Sequence, residues 1–304
     1  MSTVKNDKLS IFIILDAFRW DYMNAEDTPT LTKLAEDGAY GHKLLSSSGF
    51  TQRSSIFTGT WPETTRNFTM FIYKPESSQY RYLRFFPFLK YFEFRVRKLD
   101  NLIRIILTKI NRYFYRGRFF PPAYIPYEML PLIGISEDNI PIFKPRAFGD
   151  IESLFDVFDR QDVKFEFLMH PLAAGNDDWV LKRLLATPLK NGVIFAQFSD
   201  SDAGIHVAGV GSQGAKDIIR DIDNRLKQIC DEFDSRDQEY ELILVGDHGM
   251  QNVQTRLDVH HHVSAALAEK GLTFSKDYLI FLSSTLTHFW WFNDDAECAI
   301  RELV

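Results

Sequence analysis

The run Leu242-Ile243-Leu244-Val245-Gly246-Asp247-His248-Gly249-Met250 decides the fold. Four branched apolar residues in a row, with no polar alternation, predict a strand buried on both faces. A glycine and an Asp-His pair end it abruptly. Two other stretches repeat the pattern. Ile11-Phe12-Ile13-Ile14-Leu15 runs into Asp16, and the apolar run 193–198 leads into Asp200-Ser201-Asp202-Ala203-Gly204-Ile205-His206. Helical patterns lie between these strands. Thr28 is the expected cap of a helix with Pro29 in its first turn, stopped by Gly38. A short helix is expected over 52–58, stopped by Gly59. Segments 150–160 and 177–188 read as helices on either side of a strand at 163–168. Ile218, Ile219, Ile222, Leu226, Ile229, Cys230 and Phe233 form one stripe of a long amphipathic helix, and 258–270 is another helix. Alternating strands and helices predict an α/β fold, a mostly parallel sheet with helices on both faces. In such sheets ligands sit at the carboxyl ends of strands, where Asp16, Asp202, His206, Asp247 and His248 fall.

With 304 residues, 45% hydrophobic and 25% charged, the chain has an ordinary globular balance. Its net charge of −6 and pI near 5.8 do not suit a polyanion binder acting by bulk charge. Two cysteines, Cys230 and Cys298, make neither a disulfide framework nor a CxxC metal spacing. Lys5 and Lys8 precede an apolar run too short for a signal sequence, and no apolar stretch is long enough to span a bilayer. Secreted, disulfide-stapled, transmembrane and disordered classes are therefore excluded, and a cytoplasmic location is expected.

The charge is unevenly spread. Residues 81–120 hold 11 Lys and Arg against two acids, Glu93 and Asp100, and 12 of the 44 aromatic residues. The rest of the chain carries 24 basic against 39 acidic residues. This predicts an acidic core, 1–74 and 150–304, interrupted by a basic aromatic insert or cap at 75–149. A cap over the active site would concentrate anionic substrates. A small satellite core with a solvated charged face is the plainer alternative. Lys and Arg interleaved with Phe, Tyr and Leu also suit an anionic membrane surface, which would place the protein at the membrane's periphery. Nucleic acid is the least favoured partner.

Carboxylates and imidazoles are the ligands that hold zinc or a similar divalent ion. A lone Asp at a strand end is usually a turn or cap residue. Three Asp/His clusters at matching strand ends exceed what turns require.

Ile14-Leu15-Asp16-Ala17-Phe18-Arg19-Trp20-Asp21-Tyr22, followed by Thr28-Pro29-Thr30-Leu31, resembles the "DGFRxDYL…TPxL" opening of the type I phosphodiesterase/nucleotide pyrophosphatase family, which belongs to the alkaline phosphatase superfamily. Phe57-Thr58-Gly59 with Trp61-Pro62-Glu63 is similar to its "TGxYPE" segment. Phe198-Ser199-Asp200-Ser201-Asp202 with His206 resembles "EPDxxGH", and Asp247-His248-Gly249-Met250 matches "DHGM". The resemblance covers about 1–70 and 150–295. It implies an alkaline-phosphatase-like fold and a hydrolase of phosphate diester or pyrophosphate bonds with two divalent metals, zinc expected. Asp16, Asp247 and His248 would share one metal with the nucleophile; Asp202 and His206 would hold the other. Two cations about 4 Å apart clamp the attacking and leaving oxygens of an in-line displacement.

The family spacing from nucleophile to "TG" lands on Gly49, so Thr51 is the expected nucleophile and metal ligand, with Ser48 as runner-up. Arg53 or Asn67 would contact phosphoryl oxygens. The family's last histidine lies in an "HG" segment downstream of a strand that Thr285–Trp291 resembles. This chain ends at Val304, so the resemblance implies either a chain without that segment or a substitute among His260, His261, His262 and His288. A small-molecule or lipid-linked phosphate compound is the expected substrate. A phosphomonoesterase or phosphotransferase on the same site, or a binding protein that has lost turnover, are the alternatives. Sulfatase activity is disfavoured, because residues 45–60 lack the cysteine and proline of the formylglycine segment.

Overall fold

A computed structural model describes residues 8–42, 45, 53–65, 71–93, 97–115, 122, 125–135, 142–169, 176–236, 238–283 and 286–303. In chain order the elements are β1 (Leu9–Leu15), α1 (Pro29–Asp37), α2 (Arg53–Thr58), α3 (Pro62–Thr65), β2 (Phe71–Tyr73), α4 (Arg97–Tyr115), β3 (Ile133–Ile135), α5 (Leu154–Gln161) and β4 (Phe165–Leu168). Then follow α6 (Asp177–Leu185), β5 (Gly192–Phe198), α7 (Asp200–Ala208), α8 (Gln213–Ser235), β6 (Tyr240–Gly246), α9 (Val259–Glu269), β7 (Tyr278–Ser283), β8 (Leu286–Trp291) and α10 (Asp294–Leu303). The chain divides into two compact units. One comprises Met1–Ser47, Ser55–Trp61 and Pro141–Gln254, and the other Ser48–Ser54, Pro62–Ile140 and Thr255–Val304.

The first unit is built on a four-stranded, wholly parallel sheet in the order β4-β5-β1-β6. Alternate residues of β1 serve opposite faces, as a strand requires. Leu9, Ile11, Ile13 and Leu15 pack with Val180 and Leu184 of α6 and with Ile222, Leu226, Ile229 and Phe233 of α8. Phe12 and Ile14 join an aromatic cluster with Phe57, Phe155, Phe158, Phe167 and Phe195 on the other face. The sheet is thus covered on both sides, as the continuous apolar runs of β1 and β5 foretold. Strand β6 differs. It is a half-exposed edge strand among the described residues, with Ile243 42% exposed, because β1 alone pairs with it. An unbroken apolar run does not distinguish an edge from a centre.

Register places the site. Leu15 pairs with Phe198 on one side and with Gly246 on the other. The three strands therefore end flush, and the residues that follow them emerge at one level. Thr28 does stand at the N-cap position of α1, but its hydroxyl turns back to the Tyr22 and Asn24 carbonyls. Asp223 of α8 caps the helix instead, accepting from the N–H groups of Thr30 and Leu31 at 3.0 and 2.9 Å.

The second unit has two small antiparallel sheets, β2 with β3 and β7 with β8. Helices α9 and α10 cover the β7–β8 hairpin through Leu267, Ala296, Ala299 and Ile300. A separate core gathers Tyr80, Leu83, Leu107, Ile125, Tyr127, Met129, Leu130 and Ile133 with Phe281. No helix among the described residues is long and apolar enough to cross a membrane.

Candidate metal centre

Asp16 is the first residue after β1, held there by its own N–H, which donates to the Phe198 carbonyl at 2.9 Å. Ala17 then takes a left-handed backbone, φ 56°, which is uncommon for a residue with a side chain. This sharp turn aims the Ala17 N–H at Asp247, whose Oδ1 accepts it at 3.1 Å. The same oxygen accepts from the His248 N–H at 2.8 Å. Gln197, the one polar residue of β5, donates through Nε2 to Asp16 Oδ2 at 2.9 Å. The Ser201 hydroxyl donates to the Asp16 carbonyl. Asp16 Oδ1 is left facing His248 Nε2 at 3.2 Å.

Helix α7 brings the third cluster. Asp202 lies in its first turn and His206 one turn further on, Nε2 3.4 Å from Asp202 Oδ1. Ligand atoms of Asp16, Asp202 and His248 all lie within 4.8 Å of one another. His206 is 65% exposed at its side chain and stands at the open side of the group. The start of α7 is anchored from below. Asp177, almost wholly buried, accepts from the N–H groups of Ser199 and Asp200 at 2.8 and 2.9 Å. Arg225 of α8 binds Asp200 at 2.8 Å and Asp178 at 3.1 Å. Arg19 ties the loop after β1 to the loop after β6, donating to the Met250 carbonyl at 2.7 Å while forking onto Asp21.

The electrostatics are those of a site short of positive charge. Burial, then the neighbouring Asp16 carboxylate, push Asp247 up to about 6. Burial and Asp16 likewise raise Asp202. His248 is raised to about 9, first by its hydrogen bond to Asp16 and further by Asp247. Carboxylate oxygens and an imidazole nitrogen are the donors that suit zinc and similar divalent ions, and a cation would relieve this crowding of acids. The residues present therefore fit a metal. Asp16, Asp202 and His248 form a possible metal-binding group.

Thr51, Ser48 and Asn67 lie outside the described residues. Arg53 opens α2 and belongs to the second compact unit. His260, His261 and His262 form the exposed first turn of α9, where Asp258 caps the helix by accepting from the His261 N–H. His288 sits on β8, half-buried, with burial lowering its pKa. Its Nε2 has no hydrogen-bond partner among the described residues. Ala17, Gln197, Ser201 and Asp177 were not anticipated. The one polar side chain in the otherwise apolar run of β5 is a signal that could have found Gln197; Asp177 looks like any first-turn acid.

The parallel sheet, with acids and an imidazole at the flush ends of three strands, defines an α/β protein with a possible metal-binding group at its strand ends. The family profile of type I phosphodiesterase / nucleotide pyrophosphatase matches residues 10–297, and the chain belongs to that family. It is a phosphodiesterase-type hydrolase with an alkaline-phosphatase-like fold. Among solved structures it is similar to murine ectonucleotide pyrophosphatase / phosphodiesterase 5 (ENPP5, NPP5), as an inactive variant in complex with AMP. The TM-score is 0.62 at 12% identity, over 98% of this chain and 70% of that one. A second structure of murine ENPP5 gives 0.60 at 12% identity, over 97% and 69%. A comparison with curated proteins returned no match.

Proposed function

We propose that this chain hydrolyses phosphate diester or pyrophosphate linkages at the ends of β1, β5 and β6, using two divalent metal ions, zinc expected, and Thr51 as nucleophile. The convergence of Asp16, Asp202 and His248 within 4.8 Å supports a divalent ion at these strand ends. Asp16, Asp247 and His248 would hold one ion with Thr51, and Asp202 and His206 the other. Bound metal would lower the pKa of the nucleophile and offset charge on the phosphoryl oxygens.

The chain's own groups do the rest. The N–H groups of Ala17 and His248 hold Asp247 Oδ1, and Gln197 holds Asp16 Oδ2, so both carboxylates are aimed before anything binds. Thr51 Oγ attacks phosphorus and the leaving alcohol or phosphate departs. Water then cleaves the phosphoryl-threonine, returning the hydroxyl. Arg53 or Asn67 contacts the phosphoryl oxygens. Substrates are phosphate-bearing small molecules or lipid-linked phosphates. The AMP in the murine ENPP5 complex supports a nucleotide-sized ligand. The core, 1–74 and 150–304, carries this chemistry and 75–149 acts as a cap.

Zinc-loaded protein assayed on bis-p-nitrophenyl phosphate and on p-nitrophenyl phosphate tests the proposal. Diester turnover that exceeds monoester turnover and disappears in Thr51→Ala is expected. Preferred monoester turnover would favour the phosphatase alternative. A dead Ser48→Ala beside an active Thr51→Ala would move the nucleophile to Ser48.

A further inference from the structure

We propose that the outer face of α4 docks on an anionic lipid surface. The helix is amphipathic in the inverted sense. Its buried side carries Asp100, Arg104, Leu107 and Asn111, a mostly polar set at helical spacing. Its solvent side carries Leu102, Ile105, Ile106, Ile110, Tyr113 and Phe114, all among the exposed large apolar residues; Tyr113 is 80% and Phe114 71% exposed. Positions 102, 105, 106, 110, 113 and 114 recur at three- and four-residue intervals and so form one continuous stripe. Single exposed apolar residues are ordinary, whereas a stripe of six along one helix marks an interaction surface.

The occupant follows from charge. Residues 81–120 hold only two acids, Glu93 and Asp100. Both are drawn inward by Arg104, whose guanidinium lies 3.0 Å from Asp100 Oδ1 and 3.3 Å from Glu93 Oε1. The same guanidinium stacks on Tyr127 at 4.6 Å, and the Tyr127 hydroxyl donates to Asp100 at 2.7 Å. This cluster draws both acids of the segment away from the solvent face of the helix. Arg97, Lys98, Lys109 and Arg112 of α4 stay exposed beside the apolar stripe. A second copy of the chain would set these cations against themselves in a two-fold contact. A bilayer bearing acidic headgroups offers apolar depth for the Leu and Ile side chains and counter-charge for the Lys and Arg heads, which reach up from their stems. A helix of this composition lies in the interface, in keeping with the lack of any membrane-crossing helix among the described residues.

The test uses the full chain and co-sedimentation with two vesicles, phosphatidylcholine alone and phosphatidylcholine mixed with phosphatidylglycerol, at low and high salt. Binding is expected to the mixed vesicles only and to weaken about tenfold or more at high salt, since salt screens the attraction between the exposed cations and the acidic headgroups. The double variants Ile105→Glu/Ile106→Glu and Lys109→Glu/Arg112→Glu replace exposed residues. Each is expected to lose sedimentation while keeping the wild-type melting temperature. No sedimentation with mixed vesicles at low salt overturns the proposal, as does undiminished binding by both variants. Concentration-dependent dimers without vesicle binding, abolished by Ile105→Glu/Ile106→Glu, would assign the stripe to a second copy. None of these outcomes depends on the catalytic reading.

Discussion

Replacing Gly246 by alanine should disable the metal centre from one residue away. Gly246 is the last residue of β6 and pairs with Leu15. A Cβ built there would stand 2.4 Å from the Phe18 carbonyl oxygen, roughly 1 Å inside ordinary contact. The obstacle is backbone, and it belongs to the turn that carries Asp16 and the Ala17 N–H. Relief therefore means parting β6 from that turn, which stretches the bond from Ala17 to Asp247 and the approach of His248 to Asp16. Overpacking of this kind costs about 1–3 kcal/mol. Metal coordination tolerates only about 0.2 Å, so zinc affinity should fall about 10–100-fold. Gly204→Ala is the control. Its Cβ would meet Ile218 Cδ1 at 2.5 Å, a similar overlap but with the free end of a side chain. Alanine also gains about 0.5–1 kcal/mol over glycine inside a helix. Urea unfolding and a zinc titration against a competing chelator read both quantities. If Gly246→Ala matches wild type in zinc affinity and lies within about 0.5 kcal/mol in stability, the account of how β6 aims Asp247 is wrong.

Ala17 has a left-handed backbone that costs an ordinary residue about 1–2 kcal/mol, against about 0.8 kcal/mol for its buried methyl group. Ala17→Gly should therefore raise stability by up to about 1 kcal/mol and leave zinc binding intact, since the site uses only the N–H; a loss above about 1 kcal/mol in urea unfolding would show that the turn is unstrained. Asp177 is pushed up to about 6 by burial, so the folded chain holds its proton more tightly than the unfolded chain. Stability from this group is full below pH of about 4 and is lost as pH rises through 6, a fall of about 3 kcal/mol. Asp177→Asn should remove that component, and identical pH–stability slopes for the two proteins would exclude it.

The flush strand ends were legible because apolar runs, glycines and Asp-His clusters recur in order along the chain. What those residues lean on was not. Asp223 caps α1 from 192 residues away at Leu31, and Asp177 holds the start of α7 from 22 residues away. Sequence spacing carries no trace of such contacts, and a residue such as Thr28 with the right cap chemistry can be bypassed by a distant carboxylate. The edge position of β6 was equally hidden, since hydrophobic content does not report how many neighbours a strand has. The inverted faces of α4 were concealed for a related reason. Composition showed cations and aromatics together, but Arg104 buries both local acids only through Pro122, Ile125 and Tyr127 brought in by the fold.

The proposed chemistry requires the strand-end carboxylates to hold two divalent ions. Zinc content of the full chain after equilibration and desalting, measured by plasma mass spectrometry beside that of Asp247→Asn, tests it most directly. About two equivalents are expected for the wild type and about one for the variant, with the fold unchanged by circular dichroism. Equal zinc content in the two proteins, or none in either, would contradict it.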